Sequence, residues 1–399
     1  MTDPRQLRRR RLRDRLATLL ITAGGVGVVV SVLAIGVFLA WEVVPLFLGD
    51  GALAPAELWQ PQPVEGYAEP QHRWRPEPLV AGDAVHYGMA PLAWGTLKAA
   101  LWALLFAVPL ALGAAIHSAL YMPRRLRARL KPTLELMEAL PGVVIGFVAG
   151  LVLAPWVERH LAGALALVVT LPLGAVAAGG LRALLPAFLR ARLSPGWAGL
   201  WLAPWLLLVG SLTLWLAPAL EAGLPGGDLR GWLEATWGLD VASRNALIVG
   251  LAMGFAVVPG IYALAEDALS GVPASLGEGA LALGATRWQT LWRVVLPAAG
   301  PGIFSAVMIG AGRAVGETMI VLMASGNTAL MSLSPLEGLR SLSATIAIEL
   351  PEAAVGATHY RLLFLAALLL FAFTFLVNTL AEVVRTRLRR RYRRLEGSA

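Results

Sequence analysis

Two ionisable side chains, Arg313 and Glu317, stand inside an otherwise apolar run, Gly310-Ala-Gly-Arg-Ala-Val-Gly-Glu-Thr-Met319. On a continuous helix they lie four residues apart, on one face and within pairing reach. A charge at membrane depth costs about 2.5–3.5 kcal/mol on insertion scales, so both are expected to face protein or a water-filled path. The guanidinium fork of Arg313 suits the oxygens of a tetrahedral oxyanion in transit. Glu317 is expected to hold the arginine while the path is empty and to keep anion binding weak enough for release, with Thr318 beside it on the same path. The alternative is a structural ion pair that ties helices together without touching a substrate. Gly312 and Gly316 flank the pair with small-xxx-small spacing, which predicts close approach of a neighbouring helix.

The chain around this run has a membrane composition. Of its 399 residues 57% are hydrophobic and only 15% charged, where a soluble domain carries about a quarter charged residues. The absence of cysteine excludes disulfides and thiolate metal sites. Apolar stretches long enough to cross about 30 Å of hydrocarbon recur at Leu16–Phe47, Pro91–Leu120, Ala139–Trp156, Leu161–Leu181, Trp197–Leu220, Ser243–Ala265, Pro297–Met323 and Tyr360–Val384. With no barrel-type alternation, this predicts an all-α integral membrane protein of about eight helices. The first run follows a basic cluster but is too long for a signal peptide and lacks a small-residue cleavage site, so residues 1–47 are expected to be a basic segment and an uncleaved first span.

Formal net charge is +8, almost wholly from arginine, with Lys98 and Lys131 the only lysines. The positive-inside rule orients the set. One side collects Arg5, Arg8–Arg11, Arg13 and Arg15, then Arg124, Arg125, Arg127, Arg129 and Lys131, then Arg182, Arg190 and Arg192, then Arg287 and Arg293, and the tail 385–399. The other side collects acids, among them Asp50, Glu57, Glu65, Glu69, Glu77, Asp83, Glu221, Asp228, Glu337 and Glu349. Both termini are therefore expected in the cytoplasm, and the basic charge serves orientation rather than nucleic-acid binding. Two outer segments are long. Residues 48–90 are proline-rich and expected to form an extended, partly ordered loop; within 325–359, Leu339–Leu350 reads as a short amphipathic helix at the outer surface.

The inner segment 266–297 carries Glu278-Gly279-Ala280, then Gly284, then Val294, Leu296 and Pro297. Pro273 and Ser275 open a helix, Gly284 breaks it, and Thr286 caps a second helix running to the proline. Ala280, Leu283, Trp288, Leu291 and Val295 give an apolar ridge that so short an element cannot bury, which points to docking in a partner's groove. This spacing resembles the EAA loop of ABC-importer permeases: Glu-Ala-Ala, three residues, Gly, nine residues, an aliphatic residue, one residue, Leu-Pro. The single departure is Gly279 for the middle alanine. The resemblance implies a type I permease with a six-helix core and a coupling helix that sits on a cytoplasmic ATPase dimer.

The run Gly312–Met319, the segment Ser343–Leu350 followed by Thr358-His-Tyr360, and Leu140–Gly146 are similar to phosphate-specific (Pst) permeases. That resemblance implies phosphate as substrate, Arg313 and Glu317 on its path, and three partners: a second permease subunit, homologous or identical, a Pst ATPase and a periplasmic phosphate-binding protein. It also implies a bacterial inner-membrane location. Pst permeases commonly read Pro-Ser-Val-Val-Tyr-Gly where this chain has Pro141-Gly-Val-Val-Ile-Gly146, so two hydroxyls are missing and molybdate, tungstate or sulfate stays an alternative cargo. A non-transporting membrane signalling component that docks an ATPase is the second alternative. Gly142, Gly146 and Gly150 are expected to form a helix-packing seam, and residues 161–220 an inserted helical pair within the permease domain 91–384. No Gly-x-x-x-x-Gly-Lys-Ser/Thr motif occurs, so ATP and Mg²⁺ are expected on the partner and no cofactor or catalytic residue in this chain. The five histidines lack metal-ligand spacing.

Overall fold

The computed structural model describes residues 4–48, 52–63, 70–76 and 85–396. Of the acids expected on the outer side, Asp50, Glu65, Glu69, Glu77 and Asp83 lie outside the described residues. The helices that matter are α1 (Pro4–Leu48), α2 (Ala90–Leu120), α3 (Arg124–Glu138) and α4 (Gly142–Arg159). They are followed by α5 (Leu161–Leu184), α6 (Ala198–Ala222), α7 (Leu229–Trp237) and α8 (Ala246–Ser270). The chain continues through α9 (Ala274–Ala282), α10 (Arg287–Gly316), α11 (Met319–Ala324), α12 (Leu342–Glu349) and α13 (Thr358–Glu396). Among the described residues, eight helices are long and apolar enough to cross a membrane, so the chain is an all-α multi-pass membrane protein.

The core is made of small residues. Ala99, Ala103, Ala107, Ala111 and Ala115 recur every fourth position of α2 and are all buried. Facing them, a Cβ at Gly250 of α8 would lie 2.8 Å from the Trp102 Cβ, and one at Gly254 would lie 3.1 Å from the Ala103 carbonyl oxygen. Without side chains between them the two backbones approach closely, which is how helices associate where lipid removes the hydrophobic drive. Helix α10 joins the same core through Gly302 and Gly310, whose Cβ positions meet Ala268 and Ile261 of α8.

The expected inserted pair is an antiparallel hairpin of α5 and α6. Trp205 donates its indole N–H to the Gly174 carbonyl at 2.8 Å, and Thr213 Oγ1 lies 3.0 Å from Thr170 Oγ1. Such bonds inside an apolar pair fix its register.

On the side expected to face outwards, the proline-rich segment contains a helix, Pro55–Trp59, and a two-stranded antiparallel ribbon, β1 (Trp74–Arg75) with β2 (His86–Tyr87), paired Trp74 to Tyr87. Glu349 ties this unit to the body: its carboxylate accepts from Trp74 Nε1 at 3.0 Å, contacts His359 Nε2 at 2.8 Å and pairs with Arg340. The surface amphipathic helix expected at Leu339–Leu350 is not what forms. Helix α12 has Leu342, Ser343, Ala344 and Thr345 buried. Its hydroxyls are spent internally, Ser343 Oγ on the Glu317 carbonyl at 3.0 Å and Thr345 Oγ1 on the Ser341 carbonyl at 2.8 Å, so polar residues that read as a solvent face are satisfied inside the body.

Candidate functional site

One transmembrane segment is broken, and its break meets the turn that opens another. The expected continuous helix Pro297–Met323 stops at Gly316 and restarts at Met319. Glu317 takes an extended backbone (φ −68°, ψ 127°), and its carboxylate accepts from the Met319 and Ile320 amides at 3.2 and 3.4 Å, capping the second half. Thr318 Oγ1 donates to the Gly316 carbonyl at 3.3 Å, a group the break frees. The turn lies at Leu140-Pro141, between α3 and α4, where proline disfavours helix at the residue before it. A Cβ at Gly142 would lie 2.9 Å from Glu317 Oε1, one at Gly146 2.8 Å from the Met319 carbonyl oxygen, and one at Gly150 2.6 Å from that of Met323. The three glycines thus form a seam along which α4 lies directly on Glu317 and α11.

The ion pair is not the one expected. Arg313 and Glu317 do not pair, because the helix ends between them and their four-residue relation never forms. Arg313 Nη1 instead donates to Glu138 Oε1, at the end of α3, at 2.7 Å, and Nη2 lies 3.4 Å from the Glu138 carbonyl oxygen. The pair sits against Gly260, mid-way along α8, where a Cβ would be 3.1 Å from Glu138 Oε1. Both side chains stay open, Arg313 38% and Glu138 44% accessible, an arrangement compatible with a water path or a partner and costly against lipid. Of the flanking glycines, Gly312 faces Asn378 of α13 at 3.3 Å, but nothing lies within 4 Å of a Cβ at Gly316. Gly316 therefore marks the helix end rather than a packing contact.

Glu138 reaches Arg313 because α3 runs along α8 instead of ending with the basic cluster. At its other end, Arg127 pairs with Glu266 and bonds Ser270 Oγ, while Lys131 Nζ lies 3.2 Å from Glu266 Oε2 and also pairs with Asp267. Glu266 is fully buried, so its charge depends on these cations and on Ser270 Oγ at 2.9 Å. The sequence carried one signal for this arrangement. Glu138 is an acid immediately before an apolar span, as anomalous there as Arg313 is in its own.

The segment expected to dock on a partner follows directly from α8. Helix α9 has no buried residue, and Glu278 and Gly279 are exposed. Nothing lies within 4 Å of a Cβ at Gly279, so its departure from alanine is not forced by crowding within the chain. Gly284 takes φ +87°; its N–H bonds the Leu281 carbonyl, and the Ala285 N–H bonds that of Ala280, a Schellman end that favours glycine. Thr286 and Gln289 form a reciprocal capping box. The second helix does not stop at Pro297. A π turn over Leu291–Val295, with the Leu296 N–H reaching the Leu291 carbonyl, carries it through the proline into α10. Val294, Leu296 and Pro297 are accordingly half-buried in this passage. The apolar ridge is also rearranged: Leu291 and Val295 turn inward, while Leu276, Leu281, Leu283, Trp288 and Trp292 are exposed, Leu283 at 91%. Replacing Thr286 by Ala removes one half of the capping box and costs about 1 kcal/mol. Amide exchange at Arg287–Gln289 is expected to speed up about fivefold, and unchanged exchange would refute the cap.

The profile of the family described as binding-protein-dependent transport system inner membrane component matches residues 107–394. The probable ABC transporter permease protein YqgH of Bacillus subtilis is 34% identical over 144 residues, 36% of this chain and 47% of that protein. The phosphate transport system permease protein PstC of Xylella fastidiosa is 32% identical over 184 residues, 46% of this chain and 55% of that protein. PstC 1 of Mycobacterium tuberculosis is 28% identical over 302 residues, 74% of this chain and 72% of that protein. The chain thus spans about half the length of the first two of these relatives.

Proposed function

The chain belongs to the family of binding-protein-dependent transport inner membrane components, and on that premise we propose that it is a permease subunit of an ATP-driven importer carrying inorganic phosphate across a bacterial inner membrane. The observation that carries the reading is Arg313, a half-open guanidinium where a broken span meets the start of another, held by a carboxylate it can exchange for an incoming anion. Broken helices around a mid-membrane site are a recurrent way for transporters to expose polar groups to cargo. The names of the relatives at 28–32% identity support phosphate over other oxyanions.

In this reading α9 and the exposed ridge at Leu281, Leu283, Trp288 and Trp292 dock on an ATPase dimer that binds ATP and Mg²⁺. A binding protein delivers phosphate to the outer face, and a second permease subunit completes the path around Arg313, Glu317 and Thr318. Two states with different affinity at Arg313 give net transport when ATP drives their exchange. The test is uptake of labelled phosphate, sulfate and molybdate into liposomes holding the complex that co-purifies with this chain. ATP-dependent phosphate uptake is expected. Uptake of sulfate or molybdate alone would overturn the substrate, and no ATP-dependent anion uptake would overturn transport.

A further inference from the structure

An anion path lined by carboxylates needs explaining, since a fixed negative charge repels the cargo. Here two stand at the break, and their situations differ. Glu317 Oε1 accepts from the first amides of α11, which keep the carboxylate partnered whether or not an anion is present, although its Oε2 makes no hydrogen bond among the described residues. Glu138 Oε1 holds only Arg313, and its Oε2 makes no hydrogen bond among the described residues. When an anion takes Arg313, Glu138 is left beside it with both oxygens unpaired. An ionised carboxylate only accepts hydrogen bonds. Its neighbour on Arg313 must therefore bring a proton of its own or meet it as an unpaired like charge.

We infer that Glu138 is a specificity-determining residue that selects oxyanions carrying an O–H group, hydrogen phosphate and arsenate, over sulfate and molybdate, which carry none near neutral pH. The selected anion accepts from the Arg313 guanidinium through its bare oxygens and donates its O–H to Glu138. Sulfate can do the first and not the second. A site built around a substrate hydroxyl rejects analogues that lack it because its own polar group is then left unsatisfied. The open position of Glu138, 44% accessible, makes the discrimination smaller than in a sealed pocket, about tenfold. The inference rests on Arg313 being the anion contact, as proposed above. It also replaces what the missing hydroxyl at Gly142 leaves open: discrimination comes from a carboxylate four residues earlier.

The test is equilibrium binding of labelled phosphate, arsenate, sulfate and molybdate to the full chain with its co-purifying subunits in lipid nanodiscs, without binding protein, which would impose its own selectivity. Wild type is expected to favour phosphate and arsenate over sulfate and molybdate by about tenfold. Glu138→Gln removes the charge and supplies a donor, so sulfate binding rises and the preference collapses towards unity, while Glu138→Asp keeps it. Equal wild-type affinity for sulfate and phosphate overturns the inference even where Glu138→Gln fails to fold, and so does an unchanged ratio in a folded Glu138→Gln. The underlying reading fails separately: Arg313→Gln that still binds phosphate as wild type removes Arg313 from the path, whatever Glu138 does.

Discussion

Replacing Arg313 with Gln is expected to cut ATP-driven phosphate uptake by about thirty- to a hundredfold. The guanidinium fork makes two charge-assisted hydrogen bonds to an anion, about 1.5–2 kcal/mol each, and a glutamine offers at best one neutral bond of about 1 kcal/mol in exchange. The net loss of about 2–3 kcal/mol, at 1.4 kcal/mol per tenfold, gives that range. Glu138 loses its partner but remains open to water, so the chain should still assemble. Arg313→Lys separates charge from shape, because the ammonium keeps the charge and loses the planar fork; intermediate uptake is expected. Unchanged uptake in Arg313→Gln would remove the arginine from the path and leave only its bond to α3.

The second large effect is steric. Gly146→Val would place a Cβ 2.8 Å from the Met319 carbonyl oxygen and 3.0 Å from the Ile320 Cα, with two further methyls beyond it. Both contacts are backbone, so no side chain can rotate away and α4 must part from α11. Overpacking of this kind costs about 1–3 kcal/mol, with backbone clashes at the upper end. The seam also seats Glu317 over Gly142, so separation shifts the capping carboxylate and, four residues back, Glu138. Uptake is expected to fall at least tenfold together with a lower melting temperature. A valine variant that melts and transports like wild type would show that the seam does not position the break.

Much of the architecture was legible because it rests on local physics. Eight apolar runs of membrane length became eight helices, and the Gly284 turn and Thr286 cap formed where their residue types require them. What was hidden depends on tertiary partners. Gly316-Glu317-Thr318 contains no proline and reads as helix interior; it breaks because Glu317 caps the following turn and Ser343 of α12 takes its carbonyl. The partner of Arg313 comes from a residue 175 positions away, and no helical spacing rule reaches that far. Proline at 297 read as a stop, yet the π turn before it lets the helix continue. Polar residues of α12 read as a wet face because hydroxyls bonded to nearby carbonyls look, in sequence, like hydroxyls bonded to water.

Helix α3 holds an ion cluster at each end, Arg127 and Lys131 on Glu266 beside the docking element, and Glu138 on Arg313 at the break. A single continuous helix of 15 residues is about 22 Å long, and Pro132 within it removes one backbone hydrogen bond without ending it. An axial slip that loosens one cluster therefore changes the other in the same motion. On the reading proposed above, linkage then demands symmetry: if docking of the ATPase loosens Glu138 from Arg313, an anion already on Arg313 strengthens docking by the same free energy. An occupied importer should hold its motor more firmly than an empty one.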